Sequence, residues 1–187
     1  MLAALFPFWT QIPKSEMRPT ASIRTPRLLL VPLTFSQLQL CLTNLPALES
    51  DLEMPIDGEV ITARVQRAIQ MKLDKMAVMD ETLHPWQTYW LIVISAENVG
   101  AGLVGFKGVP DAEAITEIGY GISSSYQNMG YMTEAVQALV NWALGQPSCK
   151  AVTATDVENP ASRRLLEKLG ARLVSENETS SNWEFRR

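Results

Sequence analysis

The chain has 187 residues, 47% of them apolar and 19% charged, which fits one globular domain with a substantial core. Its net charge of -4 argues against the clustered basic surface that nucleic-acid binding needs, so no nucleic-acid partner is expected. Cys41 and Cys149 are far apart and outside any C-x-x-C spacing, which argues against a disulfide framework or a zinc site and favours a reducing cytoplasm.

The first 21 residues contain Pro7, Pro13 and Pro19, and we expect them to form an arm ahead of a single domain over 22–187. The apolar start, Met1 to Trp9, follows no basic residues and has no small-residue cleavage site, so it lacks the pattern of a signal peptide. No apolar run approaches the roughly 20 residues that span a bilayer. We therefore expect no membrane partner.

In chain order, the first half predicts one strand and then two helices. The apolar run 28–31, stopped by a proline, is typical of a strand near a sheet edge. Thr34 is a suitable N-cap for a helix over 35–44, which Pro46 closes. Apolar residues at helical spacing then predict a second helix over 62–79.

Three consecutive strands are predicted next, at 89–95, 103–107 and 115–122. Asn98 and Gly100 stand in the first connection, and the second contains a Pro-Asp pair. Strands joined by such short turns pair side by side in opposite directions. We expect these three to be antiparallel and central in the sheet.

The longest helix follows the third of these strands, because apolar residues from 132 to 143 recur at positions i, i+3, i+4 and i+7 until a glycine and a proline end the pattern. A strand over 150–156, a helix over 160–169 and a closing hairpin of 172–175 and 182–185 complete the chain. The predicted order is β, α, α, β, β, β, α, β, α, β, β.

The connection between strand 115–122 and the long helix is polar and contains Gly130. A strand that enters a helix through such a turn leaves backbone N–H groups free where the helix dipole is positive, which favours an anion. Gly130 would let a bulky pyrophosphate approach the backbone, because glycine has no Cβ. A plain helix start is the alternative interpretation of this pattern taken alone.

The run Gln127-Asn128-Met129-Gly130-Tyr131-Met132, continued by Thr133-Glu134-Ala135, resembles the Gln/Arg-x-x-Gly-x-Gly/Ala pyrophosphate loop of the GNAT N-acetyltransferases. The run 159–170, which begins Asn159-Pro160-Ala161-Ser162, resembles the second signature of that family, located beside the thioester and pantetheine. The run 23–30 is similar to the opening strand of the branch that includes the ribosomal-protein N-terminal acetyltransferases. The likeness covers about residues 22–186.

The resemblance implies an α/β (α+β) GNAT fold: a mixed, mainly antiparallel sheet of six to seven strands, splayed between the fourth and fifth strands, with about four helices on its two faces. It implies acetyl-coenzyme A as co-substrate, with no metal, and transfer of the acetyl group to a primary amine of a small molecule or a protein N-terminus. Direct attack is expected, since neither cysteine lies in a recognised motif. The implied cofactor-binding residues are Ile122, Gln127, Asn128, Met129, Gly130, Tyr131, Met132, Thr133, Asn159 and Ser162.

Acetyl transfer to an amine needs an uncharged amine, a polarised carbonyl and a route for protons. Strand alternation puts Glu117 on the same face as Gly119 and Gly121, and the resemblance suggests that Glu117, or a water it holds, deprotonates the ammonium. A salt-bridged or solvent-facing Glu is the alternative. The resemblance also implies that Ser162 donates to the departing sulfur and that Asn159 binds the pantetheine or the carbonyl end. A small residue facing a helix and an ordinary helix entry are their alternatives.

Two positions depart from the family pattern. Met132 replaces the usual Gly or Ala, so we expect a slightly displaced helix start or a crowded adenine side, with binding retained through the backbone. Leu166 stands where many relatives carry a Tyr that acts as general acid, so another group must protonate the thiolate, or it leaves unassisted. A non-catalytic GNAT-like module that senses or scaffolds an acyl-coenzyme A stays open. A nucleotide-binding protein with a P-loop is set aside, because no G-x-x-x-x-G-K-[ST] is present.

The acceptor side is less readable. His84, the only histidine, is expected in a surface loop, which leaves little for a His-centred triad. Trp86, Tyr89 and Trp90 either shape an acceptor pocket or pack in the core. An acidic run is either a rim that attracts a cationic amine or a solvated loop; it consists of Glu49, Asp51, Glu53, Asp57 and Glu59. The acceptor's identity and the choice between monomer and homodimer stay open.

Overall fold

The computed structural model describes residues 22–187, so the predicted N-terminal arm, 1–21, lies outside it. The strands are β1 (Ile23–Arg24), β2 (Leu28–Pro32), β3 (Tyr89–Ile94), β4 (Val99–Phe106), β5 (Ile115–Ile122), β6 (Ala151–Val157), β7 (Arg172–Glu176) and β8 (Ser181–Arg186). The α-helices are α1 (Phe35–Thr43), α2 (Leu45–Leu52), α3 (Ala63–Met76), α4 (His84–Gln87), α5 (Tyr131–Gly145) and α6 (Pro160–Lys168).

The strands form one sheet in the order β1-β2-β3-β4-β5-β6-β8-β7. Pairing is antiparallel throughout except between β5 and β6, which run parallel. The predicted mixed and mainly antiparallel sheet is therefore confirmed, with β3, β4 and β5 at its centre. The eighth strand is β1, whose two residues are too few to produce a pattern in the sequence.

Helices cover both faces of the sheet, and β3 shows how the core is divided. Trp90 and Ile92 belong to the cluster that contains Leu139 of α5. Leu91 and Val93 belong to the cluster formed with α1, α2 and α3. Because successive strand residues point to opposite faces, this continuous apolar strand fills both cores at once.

Two short helices were not predicted. Asn44 ends α1 and also caps α2, since its Oδ1 accepts a hydrogen bond from the Ala47 N–H at 3.2 Å. Pro46 lies in the first turn of α2, where no intrahelical N–H is needed, so it opens a new helix as well as following the old one. His84 begins α4 and is half-buried, which corrects the expected surface loop.

The sheet opens between β5 and β6. These strands pair only at Ile115 with Ala151, Thr116 with Val152, and Glu117 with Thr153, and beyond that point they diverge. The predicted splay between the strands at 115–122 and 150–156 is thus confirmed, and one edge of β5 is left without a strand partner. Within residues 22–187, no helix has both the length and the apolar character that crossing a bilayer would need.

Candidate active site

The turn that leads into α5 has the backbone geometry that an anion site needs. Gly130 is the N-cap residue, and its φ of 80° lies in the left-handed region that glycine adopts most readily. Asn128 is also left-handed, with φ 62°. No side chain caps α5, so the N–H groups of its first turn, at residues 131–133, have no partner within the helix.

Arg27, immediately before β2, holds this turn in place. Its Nη1 donates to the Met129 carbonyl at 2.9 Å, and its Nε donates to Glu134 of α5 at 2.7 Å. Its guanidinium also lies 4.6 Å from the centre of the Tyr131 ring. Partial burial raises the pKa of Glu134, but hydrogen bonds from Thr25 and Arg27 outweigh it and leave that pKa below its ordinary value. No role was predicted for Arg27, because its partners lie more than 100 positions away in the sequence.

Met132 lies in the first turn of α5, which begins at Tyr131, directly after Gly130. The Met132 side chain packs, partly buried, against the core cluster that α5 shares with the sheet. Its extra bulk is therefore taken up by the core.

The open edge of β5 presents backbone groups to the gap. The Ser123 N–H donates to Ala101 of β4, and the Glu117 carbonyl accepts from Lys107, so odd-numbered residues of this segment bond toward β4. Alternate residues of a strand direct their backbone groups to opposite neighbours, which leaves Tyr120 and Ile122 facing the gap. The Gln127 side-chain amide lies near the Ile122 carbonyl, at 3.4 Å.

Glu117 lies where β5 and β6 separate. Lys107 Nζ is 2.5 Å from its Oε1, and Thr155 Oγ1 of β6 donates to the same oxygen at 2.5 Å. The Glu117 side chain is 22% exposed. The alternative of a salt-bridged glutamate is therefore seen in the structure, at a position that also borders the gap.

The start of α6 lies across the gap. Asn159 caps α6, since its Oδ1 accepts from the Ala161 N–H at 2.8 Å, and it is exposed. Burial raises the pKa of Tyr120, and the nearby half-buried Ser162 partly offsets that rise. Leu166 is fully buried in the core. Glu117 and Ser162 approach the gap from opposite faces of β5, because Glu117 alternates with Tyr120.

A cavity of about 670 Å³ lies between α3 and strands β4 and β5. Gly119 and Gly121 form part of its floor, and a Cβ built on either would meet no atom within 4 Å. Tyr89 lines the cavity, whereas Trp86 and Trp90 are buried in the core. The sequence did not distinguish a pocket role from a core role for these three aromatic residues. In the structure, one of them lines the cavity and two lie in the core.

Lys72 of α3 is buried at this cavity. Its Nζ donates to the carbonyls of Gln87 at 2.7 Å and Phe106 at 2.6 Å and lies 4.6 Å from the centre of the Tyr89 ring. Burial, and secondly the charge of Lys75, lower the pKa of Lys72 to about 7. The sequence showed α3 only as an amphipathic helix and gave its lysines no role.

The acidic run mostly supports local backbone. Glu49 accepts a hydrogen bond from the Ile56 N–H at 2.8 Å. Glu59 lines the cavity, but its carboxylate accepts from the Ser124 N–H at 2.8 Å, and that bond lowers the pKa of Glu59. The others do not line the cavity; they are Asp51, Glu53 and Asp57. The run is thus neither a plain loop, since α2 contains part of it, nor an acidic rim around the cavity.

Residues 27–172 match a family model described as an acetyltransferase (GNAT) domain. The uncharacterized N-acetyltransferase YjdG of Bacillus subtilis (strain 168) is 36% identical over 97 residues, or 51% of this chain. The matched stretch spans 58% of the length of that curated relative.

Solved structures of the same fold include a ribosomal-protein-alanine acetyltransferase from Vibrio fischeri, with TM-score 0.59, 17% identity and coverage of 89% of this chain and 96% of that one. RimL, a ribosomal-protein α-N-acetyltransferase in complex with coenzyme A, has TM-score 0.59 and 19% identity over 89% of this chain and 98% of its own. At these identities the likeness concerns the fold.

Proposed function

Because the chain belongs to the GNAT acetyltransferase family, we propose that it is an N-acetyltransferase that takes the acetyl group of acetyl-coenzyme A and transfers it to a primary amine. The observation that carries this function is the combination of an uncapped α5 start at a left-handed Gly130 with the open edge of β5 beside it. An anion-binding helix start and a free strand edge are what a diphosphate followed by an amide-containing arm would require.

In this proposal the coenzyme lies along the gap. Its pyrophosphate binds the N–H groups at 131–133, within the predicted segment from Gln127 to Thr133. Its pantetheine amides bond the backbone of Tyr120 and Ile122, which face the gap and have no strand partner there. The exposed Asn159 amide is available as a further donor. The thioester then lies between Glu117 and Ser162.

The chemistry is a direct attack. Glu117, or a water it holds, takes a proton from the ammonium; the amine nitrogen attacks the thioester carbonyl, and the C–S bond breaks as the amide forms. Ser162 donates a hydrogen bond to the departing thiolate. With Leu166 buried, the Tyr120 phenol beside Ser162 is the group that we assign to pass a proton toward the sulfur. A glutamine at position 117 would remove the base and leave the groups proposed to bind the coenzyme unchanged.

Two acceptor classes follow from the family: a protein N-terminus and a small primary amine. The names of the structural relatives make a protein N-terminus the first acceptor to test. A non-catalytic acyl-coenzyme A sensor is the second candidate function. It is favoured by the burial of Leu166 and by the ion pair that occupies Glu117.

Release of coenzyme A thiol, measured against a panel of primary amines, tests the activity. Glu117→Gln should lower kcat roughly hundredfold at neutral pH, and the deficit should shrink as the pH rises, because solvent then deprotonates the amine. Glu113→Gln is the matched control, since Glu113 is exposed in the turn before β5 and lines neither cavity. Full activity of Glu117→Gln at every pH would refute its role as base. Coenzyme binding without thiol release from any amine would favour the sensor.

A further inference from the structure

The cavity between α3 and β5 is lined by more cations than carboxylates, although the chain as a whole has a net charge of -4. Arg64, Lys72 and Lys75 line it from α3, and Lys107 lines it from the end of β4. Glu59 is the one carboxylate among the described residues that line it. The positive charge of this wall is therefore a local property.

The nearby carboxylates offset only part of this charge. Glu59 is bonded to the Ser123–Ser124 segment, with its Oε2 2.8 Å from the Ser124 N–H. Glu117 pairs with Lys107. None of the five ion pairs formed within residues 22–187 involves Arg64 or Lys75. Those two cations are available to a ligand.

Lys72 differs from its neighbours. Its Nζ is already bonded to two carbonyls, so it offers no contact to a ligand. Burial, and secondly the charge of Lys75, lower its pKa to about 7, since both disfavour the protonated amine. A carboxylate bound nearby would favour the protonated form.

We propose that the acceptor amine carries a carboxylate, which Lys75 or Arg64 binds while the amine lies at Glu117. This acceptor class rests on the proposed N-acetyltransferase function and narrows its substrate. Electrostatic complementarity of this kind selects partners by rejecting the wrong charge as well as attracting the right one.

The positions of Lys75 and Arg64 distinguish two possible sources of the carboxylate, a free amino acid and an acidic peptide. A second cavity adjoins the first, shares Lys75 and Lys107 with it, and is lined by Glu117, so Lys75 lies at the Glu117 end. Arg64 is eleven positions away on α3, or roughly 16 Å along the helix axis. A free amino acid reaches only Lys75, whereas an extended peptide, at about 3.3 Å per residue, reaches Arg64 through an acidic side chain.

Calorimetric titration in the presence of coenzyme A, which has no acetyl group to transfer, measures acceptor affinity without turnover. The probes are serine against serinamide, and Ser-Ala-Asp-Asp-Ala-amide against its Asn-Asn and Lys-Lys counterparts. We expect the acidic member of at least one set to bind about tenfold more tightly than its neutral match. A preference for free serine identifies an amino acid as the source, and a preference for the Asp-Asp peptide identifies an acidic peptide.

Charge-reversal variants test which cation is responsible for tighter binding of the acidic acceptors. Lys75→Glu should abolish the preference in either set, and Arg64→Glu should abolish it for the peptides alone. Arg67→Glu makes the same charge change at an exposed position of α3 that lines neither cavity, and the preference should persist in it. Equal affinities within both sets, tighter binding of the Lys-Lys peptide, or no acceptor binding at all would overturn the carboxylate assignment. Thiol release, assayed separately, decides whether the transferase function itself holds.

Discussion

The proposed pyrophosphate turn and the proposed acceptor cavity meet at β5, but they are built from different parts of the chain. The turn consists of backbone from one continuous stretch, 122–134, and Arg27 is the distant side chain that holds it. The cavity consists of side chains from α3, β4 and β5, separated by up to about 60 positions. A site made of main-chain N–H groups depends little on the identity of its side chains, whereas a site made of side chains changes its preference with each residue. The proposed coenzyme site can therefore keep its ligand while the proposed acceptor cavity changes its substrate preference.

The sharpest way to break this division is Gly130→Glu. A side chain at φ 80° is strained, its Cβ would lie 3.3 Å from Arg27 Nη2, and its carboxylate would add negative charge at the proposed phosphate site. We expect coenzyme A affinity to fall by more than about hundredfold, since the anion contacts at a helix start would be replaced by repulsion. Calorimetric titration with coenzyme A measures the loss.

Two glycine variants separate charge from shape in that experiment. Gly130→Ala adds only the Cβ and should lose less affinity than Gly130→Glu. Gly145→Glu adds the same charge at the opposite end of α5, where a Cβ meets nothing within 4 Å, and should keep the affinity of the unaltered protein. Unchanged affinity in Gly130→Glu would mean that the phosphates bind elsewhere.

Arg27→Met tests whether the backbone site needs its one distant support. It removes the bonds to Met129 and Glu134 and the stacking on Tyr131, but it leaves every proposed phosphate-binding N–H in place. We expect coenzyme A affinity to fall about tenfold, the scale on which loss of an outer support weakens a bound group. Arg24→Met, at an exposed arginine of β1, should bind coenzyme A as the unaltered protein does. An equal loss of affinity in both variants would mean that overall positive charge, and not the support of the turn by Arg27, determines the affinity.

Sequence patterns predicted the turn and all strands and α-helices except β1, α2 and α4, because the signals of the predicted features are local. Thr34 with Gln37 forms the capping box expected of a helix start, and a left-handed Gly130 follows from the strand-turn-helix motif. The Lys107–Glu117 pair was also within reach, since the hairpin register opposes Phe106 to Ile118 and therefore these two residues to each other. The direction in which Arg64 and Lys75 point could not be predicted from the sequence, because the rotation of a helix about its axis is set by packing against distant strands.

The last prediction concerns Lys72, a buried residue of the cavity wall, and the pH dependence of stability. Its expected effect on catalysis is the smallest. The pKa of Lys72 is about 7 in the folded chain and 10.5 ordinarily, so between these values the unfolded chain binds a proton that the folded chain does not. Stability therefore rises with pH across that window. The free energy of unfolding of the unaltered protein, minus that of Lys72→Met, should increase from pH 7 to 10.5 in urea titrations. The same difference for Lys150→Met, at an exposed position, should stay flat; a flat difference for Lys72→Met as well would mean that the buried amine keeps its proton, held by the Gln87 and Phe106 carbonyls.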